Sequence, residues 1–218
     1  MYKRIGLSVR DKAKVLIAIP SADYMPVLTV SCIMQLMREA QDSMQIITGS
    51  LVYNSRTHLA NIALSEGYTH IMWIDSDMTF PPDTLNRLIE RDKDAITCIC
   101  YGRHFPFNPC AYKKVRKGNR YKEGIKVPID IADSMPELFT VDGCGAAMML
   151  VKIDVYKKVL EKYGEWYEPK WNLGEDLAFT ERLKGLGIPI WCDSTIPIGH
   201  IGQIVCGKET YLNAKKHY

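Results

Sequence analysis

Short apolar runs alternate with amphipathic stretches along the first hundred residues. Val15-Leu16-Ile17-Ala18-Ile19 is uninterrupted and ends at Pro20 and the polar turn Ser21-Ala22-Asp23. A run without a polar face predicts a strand buried on both sides in a parallel sheet. From Pro26 to Ala40, Leu28, Cys32 and Leu36, with Ile33 and Met37, recur at helical spacing behind a proline suited to a first turn. Met44-Gln45-Ile46-Ile47 predicts a second strand, stopped by Gly49-Ser50. A second helix is expected from Arg56 to Glu66, with Ser55 as N-cap and Gly67 as terminator. Thr69 to Ile74 predicts a third strand, Pro81-Pro82-Asp83 opens a helix reaching Arg91, and Ala95 to Cys100 predicts a fourth strand. Strands alternating with helices in this way specify a doubly wound α/β sheet.

The alternation then stops. Residues 102–138 hold proline, aromatic and basic residues without a clear period, a long insert of the kind that is usually functional or mobile. Order resumes with a buried strand over Ala146 to Val151, a helix from Asp154 to Tyr163, and another from Glu175 to Lys184 closed by Gly185 and Gly187. Ile188 to Cys192 predicts a last strand before a glycine-rich tail. The expectation is one α/β domain over 1–218: a nucleotide-binding half at 14–101, the insert at 102–138, and a catalytic half at 139–218 with a mixed sheet.

Composition adds limits. Of 218 residues, 47% are apolar and 24% charged, which excludes wholesale disorder and suffices for a core without disulfide or metal. No apolar run approaches the ~18 residues of a membrane span, and the first residues are polar rather than leader-like. A soluble, cytoplasmic protein is expected. The net charge of +3 is unevenly spread. Lys113, Lys114, Arg116, Lys117, Arg120, Lys122 and Lys126 face one acid, Glu123, so this stretch carries +6 and the remainder −3. The seven cysteines form no CxxC pair and no zinc spacing, which predicts free thiols.

Three short segments carry the chemistry. Asp75-Ser76-Asp77 follows a buried strand, where ligands of open α/β sheets bind. Two acids so close favour a hard cation between them, although a turn with a helix cap is the simpler use of a lone DxD. Gly174-Glu175-Asp176 opens a helix, where acids meet the macrodipole, and Trp171 just upstream could desolvate one of them toward general-base duty. Gly199-His200-Ile201-Gly202 offers a loop imidazole flanked by glycines that permit close backbone approach.

Taken together and in this order, these segments resemble the GT-A glycosyltransferases, particularly the family 2-like members. The resemblance runs through Ala18-Ile19-Pro20, Ser55-Arg56-Thr57-His58-Leu59-Ala60-Asn61, Ile71-Met72-Trp73-Ile74-Asp75-Ser76-Asp77-Met78, Gly143-Cys144-Gly145-Ala146-Ala147-Met148 and Gly174-Glu175-Asp176-Leu177-Ala178-Phe179. It implies a GT-A fold with a Rossmann-like, mostly parallel sheet, and transfer of a sugar from a nucleotide-sugar donor, most often a UDP-sugar, to a hydroxyl acceptor. Asp77 and His200 are implied as ligands of a divalent metal, Mn²⁺ in preference to Mg²⁺, with Asp75 on the ribose or the metal through water. Ile19, Pro20 and Ser21 would edge the base, Arg56 and Asn61 would lie near the nucleotide, and Ser76 belongs to the same donor-binding turn. Asp176 is implied as the base of an inverting displacement, with Glu175 second. One departure concerns the base: the second strand ends Ile47-Thr48-Gly49-Ser50 without the acid that family 2-like enzymes usually carry there.

The basic insert, with Tyr112 and Tyr121, reads as a lid over the donor site in preference to a nucleic-acid track. In the track reading the acceptor is a modified DNA base; a carbohydrate or protein hydroxyl is the alternative. Two other activities compete. A nucleotidyltransferase shares the sheet and the acids but needs a glycine- and base-rich loop that Pro20-Ser21-Ala22-Asp23-Tyr24-Met25 does not supply. A non-catalytic binding module would have no need of Asp75, Asp77, Asp176 and His200 together.

Overall fold

The computed structural model describes residues 8–49, 51–116, 125–132, 134–170, 173–202 and 205–216. Strands β1 (Val15–Ser21), β2 (Ser43–Thr48), β3 (His70–Ile74) and β5 (Ala95–Cys98) alternate with helices α1 (Val27–Gln35), α2 (Val52–Ser65) and α3 (Thr84–Glu90), as the apolar runs predict. A two-residue strand, β4 (Met78–Thr79), lies between β3 and α3. The chain continues through β6 (Ala111–Arg116), β7 (Ile125–Pro128), β8 (Leu138–Val141), β9 (Gly143–Cys144) and β10 (Met148–Lys152). Helices α4 (Ile153–Tyr163) and α5 (Glu175–Gly185) follow, then β11 (Ile190–Asp193), β12 (Gly199–Ile201), β13 (Val205–Cys206) and α6 (Lys208–Lys215).

The central sheet has seven strands in the order β2-β1-β3-β10-β5-β11-β8. Neighbours β1 and β2, β1 and β3, and β5 and β11 are parallel, whereas β10 runs against β3 and β5, and β8 against β11. The expected mostly parallel sheet with a mixed second half is therefore present. Alternate residues of β1 feed two apolar layers: Leu16 and Ala18 pack with Leu59 and Ala60 of α2, Val155 and Val159 of α4, and Phe179 of α5. Val15, Ile17 and Ile19 pack on the other face with Ile33 of α1 and Leu85 and Leu88 of α3. Every residue of β1 and β3 is buried, which is why these strands carry no polar alternation.

Several expectations are corrected. Helix α2 begins at Val52 with Leu51 at its N-cap, a turn before the position expected from Ser55; Ser55 is buried inside the helix. Helix α1 ends at Gln35 because Leu36 turns extended and the Met37 N–H reaches the Pro82 carbonyl. The insert is not structureless: β6 pairs with β7 across a register shift and with β9 on its other side. Its exposed lysines mask any period. The glycine-rich tail holds two strands and a helix, too short to show in the apolar pattern. Lys117, Arg120, Tyr121, Lys122 and Glu123 of the insert, and Ser50 after β2, lie outside the described residues. All seven cysteines are free thiols, as expected. Among the described residues no helix is long and apolar enough to cross a membrane.

Candidate active site

The site forms where β3 ends. Asp75 leaves the sheet there with its N–H donating to the Ala147 carbonyl at 2.9 Å, a bond that antiparallel β10 places alongside. Arg56 points in from the buried face of α2; its side chain is only 2% exposed, and Nη2 donates to Asp75 Oδ1 at 2.7 Å. Arg56 Nε also lies 3.5 Å from Glu175 Oε1. The guanidinium is packed over Trp73, 5.1 Å from the ring centre, and Trp73 in turn donates to Tyr156 Oη at 2.7 Å. Burial opposes the charge on Arg56, but Asp75, Tyr167 and Glu175 outweigh it and hold its pKa above the ordinary value. Among the described residues Nε and Nη1 have no hydrogen-bond partner, so this buried cation is held by charge more than by a full set of hydrogen bonds.

Asp176 lies in the first turn of α5, beside Glu175. Its Oδ1 accepts the Leu177 N–H at 2.6 Å. Burial, then the charge of Glu175, pushes its pKa up to about 6, against the pull of the Leu177 N–H and of Arg56. That value suits a group required to accept a proton near neutrality. Gly145 packs beside the carboxylate: a Cβ there would lie in ordinary contact, 3.5 Å from Asp176 Oδ2 and 3.5 Å from Cys110 Cβ. Cys110 itself is a neutral thiol, raised to about 11 by burial and by Asp176 and Asp75. Trp171, the expected desolvating group, lies outside the described residues.

Asp77 and His200 meet because β12 pairs antiparallel with β4, setting His200 opposite Met78. His200 Nε2 is 3.1 Å from Asp77 Oδ1, and the Ile201 N–H donates to the Asp77 carbonyl at 2.8 Å. His200 Nδ1 lies 2.7 Å from the Tyr101 carbonyl, which can only accept, so Nδ1 carries a proton and Nε2 is the atom turned to Asp77. Arg103 closes the other side, with Nη1 2.7 Å from Asp77 Oδ2. Burial raises Asp77, but His200 and Arg103 bring its pKa below the ordinary value; burial lowers His200, and Asp77 more than restores it.

A carboxylate oxygen and an imidazole nitrogen at this separation are a donor pair for Mn²⁺ or Mg²⁺. Among the described residues no group of three His, Cys, Asp or Glu side chains joins around them, so most coordination positions would fall to ligand oxygens and water. Asp75 Oδ1 is engaged by Arg56 at 2.7 Å. The structure thus brings Arg56, Asp75, Glu175 and Asp176 together, and Asp77 with His200. Ser76 sits in the turn between the two groups, and Ile19, Pro20 and Ser21 end the adjacent strand β1. Asn61 is not brought in: it lies on the exposed face of α2, its amide donating to the Thr57 carbonyl at 3.1 Å. Arg103, Cys110 and the Tyr101 carbonyl were not expected from the sequence; they come from the insert boundary, where no periodicity marks them.

The mixed seven-stranded sheet with helices on both faces is an α/β fold, with carboxylates at the end of β3 and at the head of α5, and the solved structures it resembles place it in the GT-A type. Scanned against protein-family models and curated sequences, the chain matches none. Among solved structures it is similar to A197 from STIV, with 17% identity and a TM-score of 0.58 over 87% of this chain and 86% of that one. It is also similar to GalNAc-T7, solved with UDP, GalNAc and Mn²⁺, with 8% identity and a TM-score of 0.59; 94% of this chain covers 48% of that one. At these identities the likeness establishes the fold.

Proposed function

We propose that this chain is a metal-dependent glycosyltransferase that moves a sugar from a nucleotide-sugar, a UDP-sugar in the first instance, to a hydroxyl acceptor by an inverting displacement. The observation that carries this reading is the convergence of Asp77 with His200, 3.1 Å apart although 123 positions separate them in sequence; the half-buried Asp176, grouped with Asp75, Arg56 and Glu175, has a pKa raised to about 6. The donor identity rests on the GalNAc-T7 likeness, since that protein was solved with UDP and Mn²⁺.

In this mechanism Asp77 and His200 would hold a divalent cation, which would supply positive charge against the charge developing on a departing diphosphate. Asp176 accepts the proton of the acceptor hydroxyl as its oxygen bonds to the anomeric carbon. The bond from that carbon to the diphosphate breaks with its electron pair leaving on the nucleotide. Arg56 keeps Asp75 and Glu175 from driving Asp176 to a still higher pKa, and so keeps the base ionised near neutral pH. The family 2-like assignment and the basic segment as a lid belong to this same proposal.

Thermal unfolding with a panel of nucleoside diphosphates, each with and without Mn²⁺, tests it. A ligand at 100 times its dissociation constant stabilises by about 2.7 kcal/mol. The expected result is a shift that needs UDP and Mn²⁺ together and disappears in Asp77→Ala. A flat response across the whole panel refutes the reading, and a response to another nucleotide corrects the base.

A further inference from the structure

Asp77 is occupied on both sides in this structure. His200 faces Oδ1 and Arg103 faces Oδ2, at 3.1 and 2.7 Å. The two partners differ in how they are held. His200 is fixed in β12 and anchored through Nδ1 to the Tyr101 carbonyl. Arg103 sits in the loop that follows β5, its side chain 49% exposed, and its guanidinium has Asp77 as its one ion-pair partner among the described residues. Its stem rests where Gly202 leaves room: a Cβ there would come within 3.3 Å of Arg103 Cβ and 3.4 Å of its carbonyl oxygen. The second glycine of Gly199-His200-Ile201-Gly202 is thereby explained. The same Arg103 lines a groove of about 410 Å³ with His104, Cys110, Tyr112 and Lys126, so the guanidinium has open space to turn into.

A divalent cation between Asp77 and His200 would stand next to the Arg103 charge, and like charges at that range repel strongly. An arginine fork released from a carboxylate matches phosphate oxygens in the same two-point geometry. We propose that Arg103 is a placeholder cation: it neutralises Asp77 in the empty site, is displaced when the divalent cation binds, and then pairs with the diphosphate of the donor. This rests on the glycosyltransferase reading above and extends it, because it makes metal and nucleotide binding mutually reinforcing. The diphosphate draws Arg103 off Asp77, so each ligand raises the affinity of the other by the same factor.

The test is a binding cycle with three proteins, wild type, Arg103→Ala and Arg103→Lys. Mn²⁺ alone is titrated by the electron paramagnetic resonance signal of the free ion, and UDP is titrated calorimetrically with and without saturating Mn²⁺. Arg103→Ala is expected to bind Mn²⁺ alone at least about fivefold more tightly and Mn²⁺-saturated UDP at least about fivefold more weakly, with the coupling between them reduced. Arg103→Lys, which keeps the charge and loses the fork, should fall between for both ligands. Unchanged or weaker Mn²⁺ binding in Arg103→Ala, in a protein with wild-type circular dichroism, overturns the placeholder role alone. Wild-type protein that binds neither Mn²⁺ nor UDP overturns the transferase reading and this inference with it.

Discussion

Replacing Asp176 by asparagine separates the catalytic from the structural role of that carboxylate, and the structure fixes the direction of both effects. Asparagine has the same shape and its Oδ1 can still accept the Leu177 N–H, now 2.6 Å from the carboxylate. What changes is charge. The folded-state pKa of about 6 stands above the ordinary carboxylate value of 3.8. Folded protein therefore keeps a proton that the unfolded chain has released, and stability falls as pH rises between those two values. Above the window the cost is constant; below it both states are protonated and the cost vanishes. A displacement of that size corresponds to at most about 3 kcal/mol, and nearer 1–2 kcal/mol for a carboxylate that retains some solvent contact. Asp176→Asn should thus raise the melting temperature at pH 7.5 by about 2–8 °C, given about 2–4 °C per kcal/mol for a domain of this size. At pH 4 the difference should be gone. Differential scanning calorimetry across that range measures it. A variant as stable as wild type at pH 7.5, or less stable, refutes the argument that Asp176 is held in an unfavourable ionised state. The same substitution should leave Mn²⁺–UDP binding intact and abolish transfer, while wild-type kcat/KM for transfer should rise with pH through about 6 and then level.

Two further substitutions probe the scaffold. Arg56→Met keeps much of the packing on Trp73 but leaves Asp75 and Glu175 without their buried partner, so a loss of about 2–4 kcal/mol is expected in urea unfolding; the kinetic pKa should also move upward, and an unchanged pH profile would remove Arg56 from the control of Asp176. Gly199→Ala places a Cβ 2.4 Å from Thr79 Oγ1 and 2.7 Å from Val205 Cγ1, across the strand pair that sets His200 against Asp77. Mn²⁺ affinity should fall at least tenfold with about 1–3 kcal/mol of lost stability, and normal Mn²⁺ binding in that variant would show that the β4–β12 register does not position the histidine.

The legible and the hidden parts of the site differ in their signal. Asp75, Asp77 and Asp176 stand at ends of elements announced by strong local patterns: a fully buried, largely apolar strand before the first two, a helix start at the third. Asn61 stands apart from Arg56 because a motif read along the chain does not show which helix face a residue occupies. Arg56 and Asn61 are five positions apart, about 140° around an α-helix, so one is buried on Asp75 and the other is in water. Arg103 left no trace at all, since nothing in a loop's composition tells which carboxylate it reaches.

The sequence by itself determined the layered α/β architecture, because apolar runs of five or six residues bounded by turn residues are too short for buried helices and fit strands buried on both faces, and the stretches between them have helical period. It also marked the acids at the strand and helix ends. Only the tertiary structure decided that β10 inserts antiparallel between β3 and β5, that β12 closes on β4, and that Arg56 neutralises Asp75 while His200 and Arg103 share Asp77. These are contacts between residues up to 123 positions apart. They are set by how apolar faces pack and which strand edges remain to be paired, quantities that no local window of residues contains.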